Sequence, residues 1–205
     1  MSTIVGHQNT RQNPSSQPRL WHWTVAQYNR LGDQGVFGEQ RVELLEGRVV
    51  LMPAMKDYHL AAIDTSAHVL DAVFGPGYWV RRQGQLDLLR DSAPMPDIAL
   101  VPGSAKGSHR DRENPSTALL IVEVSLSTLH FDRGQKLRIY AKAGIPESWI
   151  LNLDEQQLEV YRQPQLEPGR KRRFRYAQVT ILKPTDRVSP LAAPNTSILV
   201  SDMLP

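Results

Sequence analysis

The chain has 205 residues, of which 40% are hydrophobic, and its 24 Lys and Arg residues against 21 Asp and Glu residues give a formal net charge of +3. This length and apolar content suffice for one domain with a buried core, and so mild a charge excess by itself indicates little about nucleic acid. The absence of cysteine excludes disulfides and thiolate metal sites, and no apolar stretch reaches the length of a membrane-spanning helix, about 20 residues. With no basic-then-apolar leader after Met1, these features predict a cytoplasmic protein.

The first half of the chain predicts a polar tail followed by helices and short strands. Residues 1–19 are rich in Ser, Gln, Asn and Pro and are predicted to be a disordered tail, whereas residues 20–205 are predicted to form a single domain. Thr24, with Gln27 three residues later, has the pattern of a capping box that begins a short helix. The other elements predicted here are strands at Val42–Leu45, Arg48–Met52, Tyr78–Arg82, Leu86–Arg90 and Asp97–Val101, and a helix over Leu60–Phe74.

The second half predicts a buried strand, a helix and a series of strands. Residues 102–117 are polar and long for a connection, which is typical of a functional loop. The apolar run Ala118–Val124 predicts a strand buried on both faces, and the helix near Phe131–Lys142 follows it. Further strands are predicted at Ser148–Leu153, Leu158–Arg162, as a pair around Arg173–Leu182, and at Ser197–Val200. The pattern predicts an α/β fold with a mixed, largely antiparallel central sheet flanked by helices.

Arg170 to Arg175 forms a short basic segment with five cations and one aromatic residue. Such a segment is able to contact the phosphates of DNA. It is also typical of an edge strand whose exposed backbone is protected by charge, and the sequence favours this second interpretation.

Two carboxylates interrupt otherwise apolar strands and need a physical explanation. Glu123 lies inside the run Ala118–Val124, and Asp97 begins the run that ends at Val101. A buried carboxylate costs several kcal/mol unless it is protonated, paired or bound to a cation. Each has a structural alternative, since Asp97 could bond nearby amides at a strand start and Glu123 could form a buried salt bridge. If the two strands are neighbours, the acids converge, and Mg²⁺ is the cation that such oxygen ligands favour.

Other common catalytic arrangements are missing from the sequence. The histidines at 7, 22, 59, 68, 109 and 130 show no HExxH or His-x₃-His spacing, which makes a histidine metal site improbable. There is no Walker A, Gly-x-Gly-x-x-Gly or Gly-x-Ser-x-Gly pattern, which argues against nucleotide-dependent and serine-hydrolase chemistry. Phosphodiester chemistry remains.

These motifs together resemble a known family. Asp97, then Glu123-Val124-Ser125, then Asp132 and Lys136, is similar to the Uma2 family of restriction endonucleases, a branch of the PD-(D/E)XK nucleases. The resemblance extends over roughly 21–204. Its remaining matching positions are Glu43 to Gly47, Met52-Pro53, His59, Tyr140, Gly144 and Ser148 to Ile150.

The resemblance implies a restriction-endonuclease-like core and a Mg²⁺-dependent endonuclease acting on DNA, with Mn²⁺ as an alternative metal. It implies that Asp97, Glu123 and the main-chain carbonyl of Val124 hold the metal and that Lys136 acts in catalysis. Glu43 would be a third ligand or a supporting base, and a homodimer is the expected assembly.

One position departs from the family's wider pattern. The superfamily expects Glu-x-Lys, but the third place here is Ser125, so the lysine would have to come from the following helix, at Lys136. Lys136 also has a simpler interpretation as a surface lysine paired with Asp132 one turn earlier. The alternative to an enzyme is therefore a catalytically inactive nuclease-fold protein that serves as a nucleic-acid-binding or assembly module. A structural oligomer subunit is a third alternative.

Overall fold

The computed structural model describes residues 18–104 and 114–205. The predicted tail therefore lies almost wholly outside the described residues, as does most of the predicted functional loop at 102–117. Helix α1 spans Val25–Asp33, and its Thr24 and Gln27 form the predicted capping box. A hairpin of β1 (Val42–Leu45) and β2 (Arg48–Leu51) follows, and then helix α2 (Asp57–Val73).

The central sheet contains six strands in the spatial order β3-β4-β5-β6-β7-β8. Only β5 and β6 pair in parallel among these described neighbours, and the other pairs are antiparallel. The predicted mixed, largely antiparallel α/β fold is confirmed. The strands are β3 (Tyr78–Arg82), β4 (Ile98–Pro102), β5 (Leu120–Ser125), β6 (Glu147–Asn152), β7 (Gln157–Leu166) and β8 (Phe174–Leu182).

A helical segment, α3 (residues 129–142), connects the parallel strands β5 and β6, because parallel neighbours need a crossover between them. It begins with a helical turn at Leu129–Phe131, widens into a π-helical turn at Asp132–Lys136, and continues as an α-helix over Leu137–Lys142. The chain ends with the short pair β9 (Arg187–Val188) and β10 (Ile198–Leu199), followed by a 3₁₀ turn at Val200–Met203.

The sheet separates two apolar cores. Leu100 and Val122 pack on one face, together with Leu70 of α2 and the C-terminal 3₁₀ turn. Ala99 and Ile121 pack on the other face, beneath Tyr140 of α3. Because side chains alternate across a strand, odd-numbered positions of β4 and β5 point toward α3. No helix in the described residues is long and apolar enough to cross a membrane.

Two of the predicted strands are wrong. Leu86–Arg90 is not a ladder strand, although Leu86 and Leu88 are buried, because it faces the segment containing Pro94 and Pro96, which have no N–H to donate. Arg173–Leu182 is one strand, β8, rather than a pair, and its partner is β7. Strand β7 continues through Pro164 to Leu166, beyond its last residue paired with β6, which is Arg162. The missing N–H of Pro164 therefore costs no hydrogen bond to β6.

Candidate active site

A cavity of about 40 Å³ lies beside the start of β4 and the end of β5. The first turns of α3 and the hairpin β1–β2 with the segment after it complete its walls. It is lined by Arg41, Glu43, Met52, Pro53, Ala54, Met55, His59, Asp97, Glu123, Val124, Ser127, Thr128, Asp132 and Lys136. All four predicted catalytic side chains, Asp97, Glu123, Lys136 and Glu43, therefore lie around one cavity.

The alternation of side chains along β4 and β5 explains why Asp97 and Glu123 meet. Asp97 directly precedes β4 and lies two positions before Ala99, and Glu123 lies two positions after Ile121. Positions two apart in a strand point to the same face, so both acids face α3. Antiparallel pairing of Ile98 with Val122 places the two carboxyl-bearing positions side by side. Both are buried, with only 6% of Asp97 and 3% of Glu123 exposed.

Asp97 is held in place by a backbone amide and a histidine. Its Oδ2 accepts a hydrogen bond from the Val124 N–H at 2.9 Å and lies 3.2 Å from His59 Nε2. Oδ1 accepts no hydrogen bond within the described part of the chain. One oxygen of this carboxylate is thus fixed and the other is available to a ligand in the cavity.

Lys136 joins two buried acids. Its Nζ lies 3.1 Å from Glu123 Oε1 and 3.2 Å from Oε2, and 3.4 Å from Glu43 Oε1. The contact with Glu43 is close enough for an ion pair but lacks hydrogen-bond geometry, and neither Glu43 oxygen has a hydrogen-bond partner among the described residues. The Tyr140 hydroxyl donates a hydrogen bond to Glu123 Oε1. Glu123 is therefore oriented by two donors from α3.

Lys136 points inward from a π-helical turn. Only 4% of Lys136 and 3% of Asp132 are exposed. A π turn contains an additional residue, which rotates the following side chains relative to the preceding turn. Gly134 and Gln135 occupy the outer side of this turn and are exposed or half-buried, whereas Asp132 and Lys136 reach the cavity.

Asp132 does not pair with Lys136 as a surface helix would arrange them. Its Oδ2 accepts a hydrogen bond from the Thr128 hydroxyl at 2.6 Å, and within the described residues it makes no ion pair with Lys136. The simple interpretation of Lys136 as a surface lysine paired at i, i+4 is therefore wrong.

The cavity carries more negative than positive charge. Burial raises the pKa of Glu123, while Lys136 opposes this rise and Asp97 adds to it. Burial also raises the pKa of Asp132. Burial acts to lower the pKa of Lys136, but the charges of Glu123 and Glu43 outweigh it, so this pKa lies above its usual value and the ammonium stays charged. Two cations, Lys136 and Arg41, thus line the cavity with four carboxyl groups, a balance that an added cation would improve.

The donors present fit a hard divalent cation. Asp97 has a free oxygen, Glu123 faces the same cavity, and the N–H of Val124 points to Asp97. The N–H and C=O of one strand residue point to the same side, so the Val124 carbonyl faces the Asp97 side as well. Within the described residues no group of three or more His, Cys, Asp or Glu side chains is arranged to hold a metal. Mg²⁺ is usually bound through one or two carboxylates with water and substrate phosphate, and this set matches that use.

Sequence reasoning missed two contacts in this site. His59 matches a position of the resembled family, and in the structure it lies in α2 and contacts Asp97 across 38 positions. No local signal apart from the family motif could have found it. Tyr140 enters the sequence analysis only as a position that matches the family, yet its hydroxyl donates to Glu123, and its place four residues after Lys136 is a signal that could have been used. Glu46 lies outside the cavity and pairs with Arg138 at 2.7 Å.

Comparison with known proteins supports the likeness. The chain matches the Uma2 family, described as "Putative restriction endonuclease", over residues 25–201. A crystal structure of a putative nuclease belonging to DUF820 from Anabaena variabilis superposes with a TM-score of 0.65 over 89% of this chain and 97% of that one. The two sequences are 18% identical, so this likeness concerns the fold. No curated protein matches the sequence. Since the family match covers most of the chain, this protein belongs to the Uma2 family of restriction-endonuclease-like proteins.

Proposed function

We propose that this chain is a Mg²⁺-dependent endonuclease that hydrolyses phosphodiester bonds of DNA. The observation that carries the proposal is the buried Lys136 ammonium, which lies 3.1 Å from Glu123 in a cavity that Asp97 also lines. Burying a lysine with acids is costly, and a packed core position for it is unusual unless the charge has a use. Membership of a family described as putative restriction endonucleases supports the same reaction.

Asp97, Glu123 and the main-chain carbonyl of Val124 would hold the metal, which is Mg²⁺ or, as an alternative, Mn²⁺. When bound, such an ion neutralises charge on the scissile phosphate and lowers the pKa of its water. The protein's part is to fix these ligands. The Val124 N–H and His59 hold Asp97, and Tyr140 and Lys136 hold Glu123.

Lys136 and Glu43 would act on the attacking water and the phosphate. The Lys136 ammonium stays charged and can only donate hydrogen bonds. It would therefore orient the water and stabilise the negative charge that grows on the phosphate oxygens in the transition state. Glu43 has two buried oxygens without hydrogen-bond donors, and it would accept a hydrogen bond from that water. Arg41 lines the same cavity and would contact the substrate phosphate.

The alternative of an inactive nucleic-acid-binding protein depended on Ser125 in place of a lysine. Ser125 is buried, with 1% of the residue exposed. Lys136 supplies an ammonium next to Glu123 from the following helix. The absence of a lysine at position 125 is therefore equally consistent with an active enzyme whose lysine comes from α3. The intact pair of acids, Asp97 and Glu123, supports catalysis.

We also propose that residues 20–205 act as a single nuclease domain, that the protein works in the cytoplasm, and that two copies assemble. The family match over 25–201 and the single continuous six-stranded sheet support one domain. A two-fold dimer would present two sites to the two strands of a duplex. Sedimentation analysis of the purified chain tests the assembly, and a monomer at all concentrations would contradict it.

The nuclease proposal is tested by incubating supercoiled plasmid, linear duplex and single-stranded DNA with the purified protein. Cleavage is expected with Mg²⁺ or Mn²⁺ and not with EDTA. Asp97→Asn should reduce the rate by about 100-fold or more, because metal charge stabilisation is worth several kcal/mol. Asp64→Asn removes an exposed carboxylate from α2 and should cleave like the wild type. Folded wild-type protein that cuts none of these substrates, or Asp97→Asn that cuts normally, would overturn the proposal.

A further inference from the structure

A second concave surface lies on the other side of α3, between this helix and the β7–β8 hairpin. We call it the basic groove; its volume is about 350 Å³, and it is separate from the cavity that contains Lys136. Arg133 and Arg138 of α3 form one wall, and Arg173 and Arg175 at the start of β8 form the other. Next to it, Arg170 and its neighbours through Arg173 extend the basic surface to the turn near Glu46.

Some of these cations are already neutralised inside the protein. Arg133 pairs with Glu159 at 2.5 Å, Arg138 with Glu46 at 2.7 Å, and Arg173 with Glu167 at 2.9 Å. Such pairs fix the guanidinium groups of the two walls in position.

The remaining cations of the surface are free to bind an external anion. Arg170, Lys171, Arg172 and Arg175 are exposed and make no ion pair with a carboxylate among the described residues. The basic groove and its rim thus keep several positive charges in excess of the acids that face them.

Protection of an edge strand does not explain these charges. Strand β8 is the edge of the sheet and begins at Phe174, whereas Arg170, Lys171 and Arg172 precede it in the turn of the hairpin. A turn has no open backbone ladder that charge would need to protect. The interpretation that the sequence favoured for this segment therefore accounts for Arg175 alone.

The chemistry of the groove suits phosphates rather than bases. Guanidinium groups bind phosphate oxygens through paired hydrogen bonds. Tyr161 and Tyr176 also line the groove, but their hydroxyls already donate to Glu159 and to the Ile145 carbonyl. Among the described residues the groove lining contains no Asn or Gln side chain, the types that read adenine. Arginine can read guanine, but three of the four arginines in the lining are paired with carboxylates.

The position of the groove relates it to the cavity. Lys136 points from α3 into the cavity, while Arg133 and Arg138 of the same helix line the groove. The two sites are therefore separated by about one helix diameter, roughly 10 Å. A polyanion that reaches the cavity would have neighbouring phosphates within reach of the groove.

We propose that the exposed cations of the basic groove and its rim, Arg170, Lys171, Arg172 and Arg175, bind the sugar-phosphate backbone of duplex DNA without reading its sequence. The choice of DNA as the ligand rests on the proposed nuclease function. The presence of an anion-binding site is inferred independently of that function, from the exposed cations and from the paired arginines that form the walls of the groove.

The test measures binding of a fluorescent duplex in EDTA, where no cleavage can occur, over a range of salt concentrations. Arg170→Gln with Arg172→Gln should weaken binding to all duplex sequences alike and reduce the slope of log K against log salt by about 2, since each lost phosphate contact removes about one unit. Arg30→Gln with Arg90→Gln removes two exposed cations elsewhere and should leave the slope unchanged.

The outcomes separate this inference from the nuclease proposal. If wild-type protein cuts no DNA but binds it with a slope that the Arg170 and Arg172 changes reduce, the groove is supported and catalysis fails. If the protein cuts DNA and both double variants keep the wild-type slope, the groove is overturned. Failure of the wild type to bind any duplex, or binding of phosphatidylserine vesicles in preference to duplex, would overturn it as well.

Discussion

At the scale of single residues, the unusual feature is a lysine buried with acids. Lys136 contacts Glu123 and Glu43, and all three are at most 4% exposed. Burial removes the hydration of the ammonium, and attraction to the two carboxylates compensates for this loss. The lysine and the acids therefore stabilise each other in the folded protein. Residues that only build a core are seldom of this kind, which is why the group indicates chemistry.

Lys136→Met keeps most of the side-chain volume and removes the charge. We expect cleavage to fall about 100- to 1000-fold, the usual loss for one electrostatic group at a reacting phosphate or carbonyl. The free energy of unfolding should fall by about 3–5 kcal/mol, because Glu123 would remain buried without its cation. Plasmid cleavage and urea unfolding measure the two effects.

Lys142→Met, an exposed change near the end of α3, is the matched control and should alter neither quantity. A Lys136→Met protein that unfolds at a lower urea concentration but cuts DNA at the normal rate would restrict Lys136 to a structural role.

Tyr140→Phe removes one hydroxyl and keeps the packed ring. The hydrogen bond to the Glu123 carboxylate is buried, so its loss should lower the free energy of unfolding by about 1.5–3 kcal/mol. Urea unfolding followed by circular dichroism measures this change. Tyr58→Phe, at a site that is 45% exposed, should have no effect. Equal stability of the two variants would mean that Tyr140 does not hold Glu123 in solution.

At the scale of elements, α3 is joined to the sheet by charge as well as by apolar packing. Arg133 donates two hydrogen bonds to Glu159 of β7, at 2.9 and 2.5 Å, and Tyr161 and Asn152 donate to the same carboxylate. Burial acts to raise the pKa of Glu159, but these hydrogen bonds outweigh it and hold the pKa below its usual value. The ionised form of Glu159 therefore stabilises the contact between α3 and β7.

This contact should make stability depend on acid pH. The folded state lowers the pKa of Glu159. The contribution of ionised Glu159 to the free energy of unfolding is therefore complete above the ordinary carboxyl pKa, and it is lost as the pH falls through the lowered pKa. Glu159→Gln should be less stable than wild type at pH 7, with the difference shrinking toward pH 3. Urea unfolding across this range measures it. Glu39→Gln, an exposed change, should follow the wild-type curve, and a difference for Glu159→Gln that does not vary with pH would contradict the mechanism.

At the scale of the whole molecule, the proposed metal should couple the two halves of the fold. Asp97 directly precedes β4, which pairs antiparallel with β5, whereas Glu123 lies in the part of β5 that pairs in parallel with β6. An ion held by both carboxylates binds only the folded chain and therefore stabilises it. The excess of acids in the cavity makes the effect larger for a divalent than for a monovalent ion.

Thermal unfolding in Mg²⁺ against sodium salt of equal ionic strength tests this coupling. At a Mg²⁺ concentration about 100 times the dissociation constant, the stabilisation should be about 2.7 kcal/mol. Asp97→Asn should lose this increase in Tm, and Asp64→Asn should keep it. An equal increase for Asp97→Asn would show that Mg²⁺ acts elsewhere on the surface.

The sequence by itself determined the class of fold and the identity of the two main acids. Periods of two and of 3.6 residues are set by neighbours along the chain, so α2, β4 and β5 were predictable. Glu123 could be recognised because one charge inside an apolar run is improbable without a function. The same local reasoning failed at Leu86–Arg90, where the opposite segment contains prolines and cannot form a ladder.

Only the tertiary structure decided how the cavity is assembled. Lys136 is buried within a π turn, whose position no local pattern of side chains indicated. The contacts of His59 with Asp97 and of Glu43 with Lys136 join elements far apart in the chain. The basic groove likewise forms only because α3 packs beside the β7–β8 hairpin. Such contacts depend on how distant elements pack, because no local pattern of side chains specifies which segment will face which.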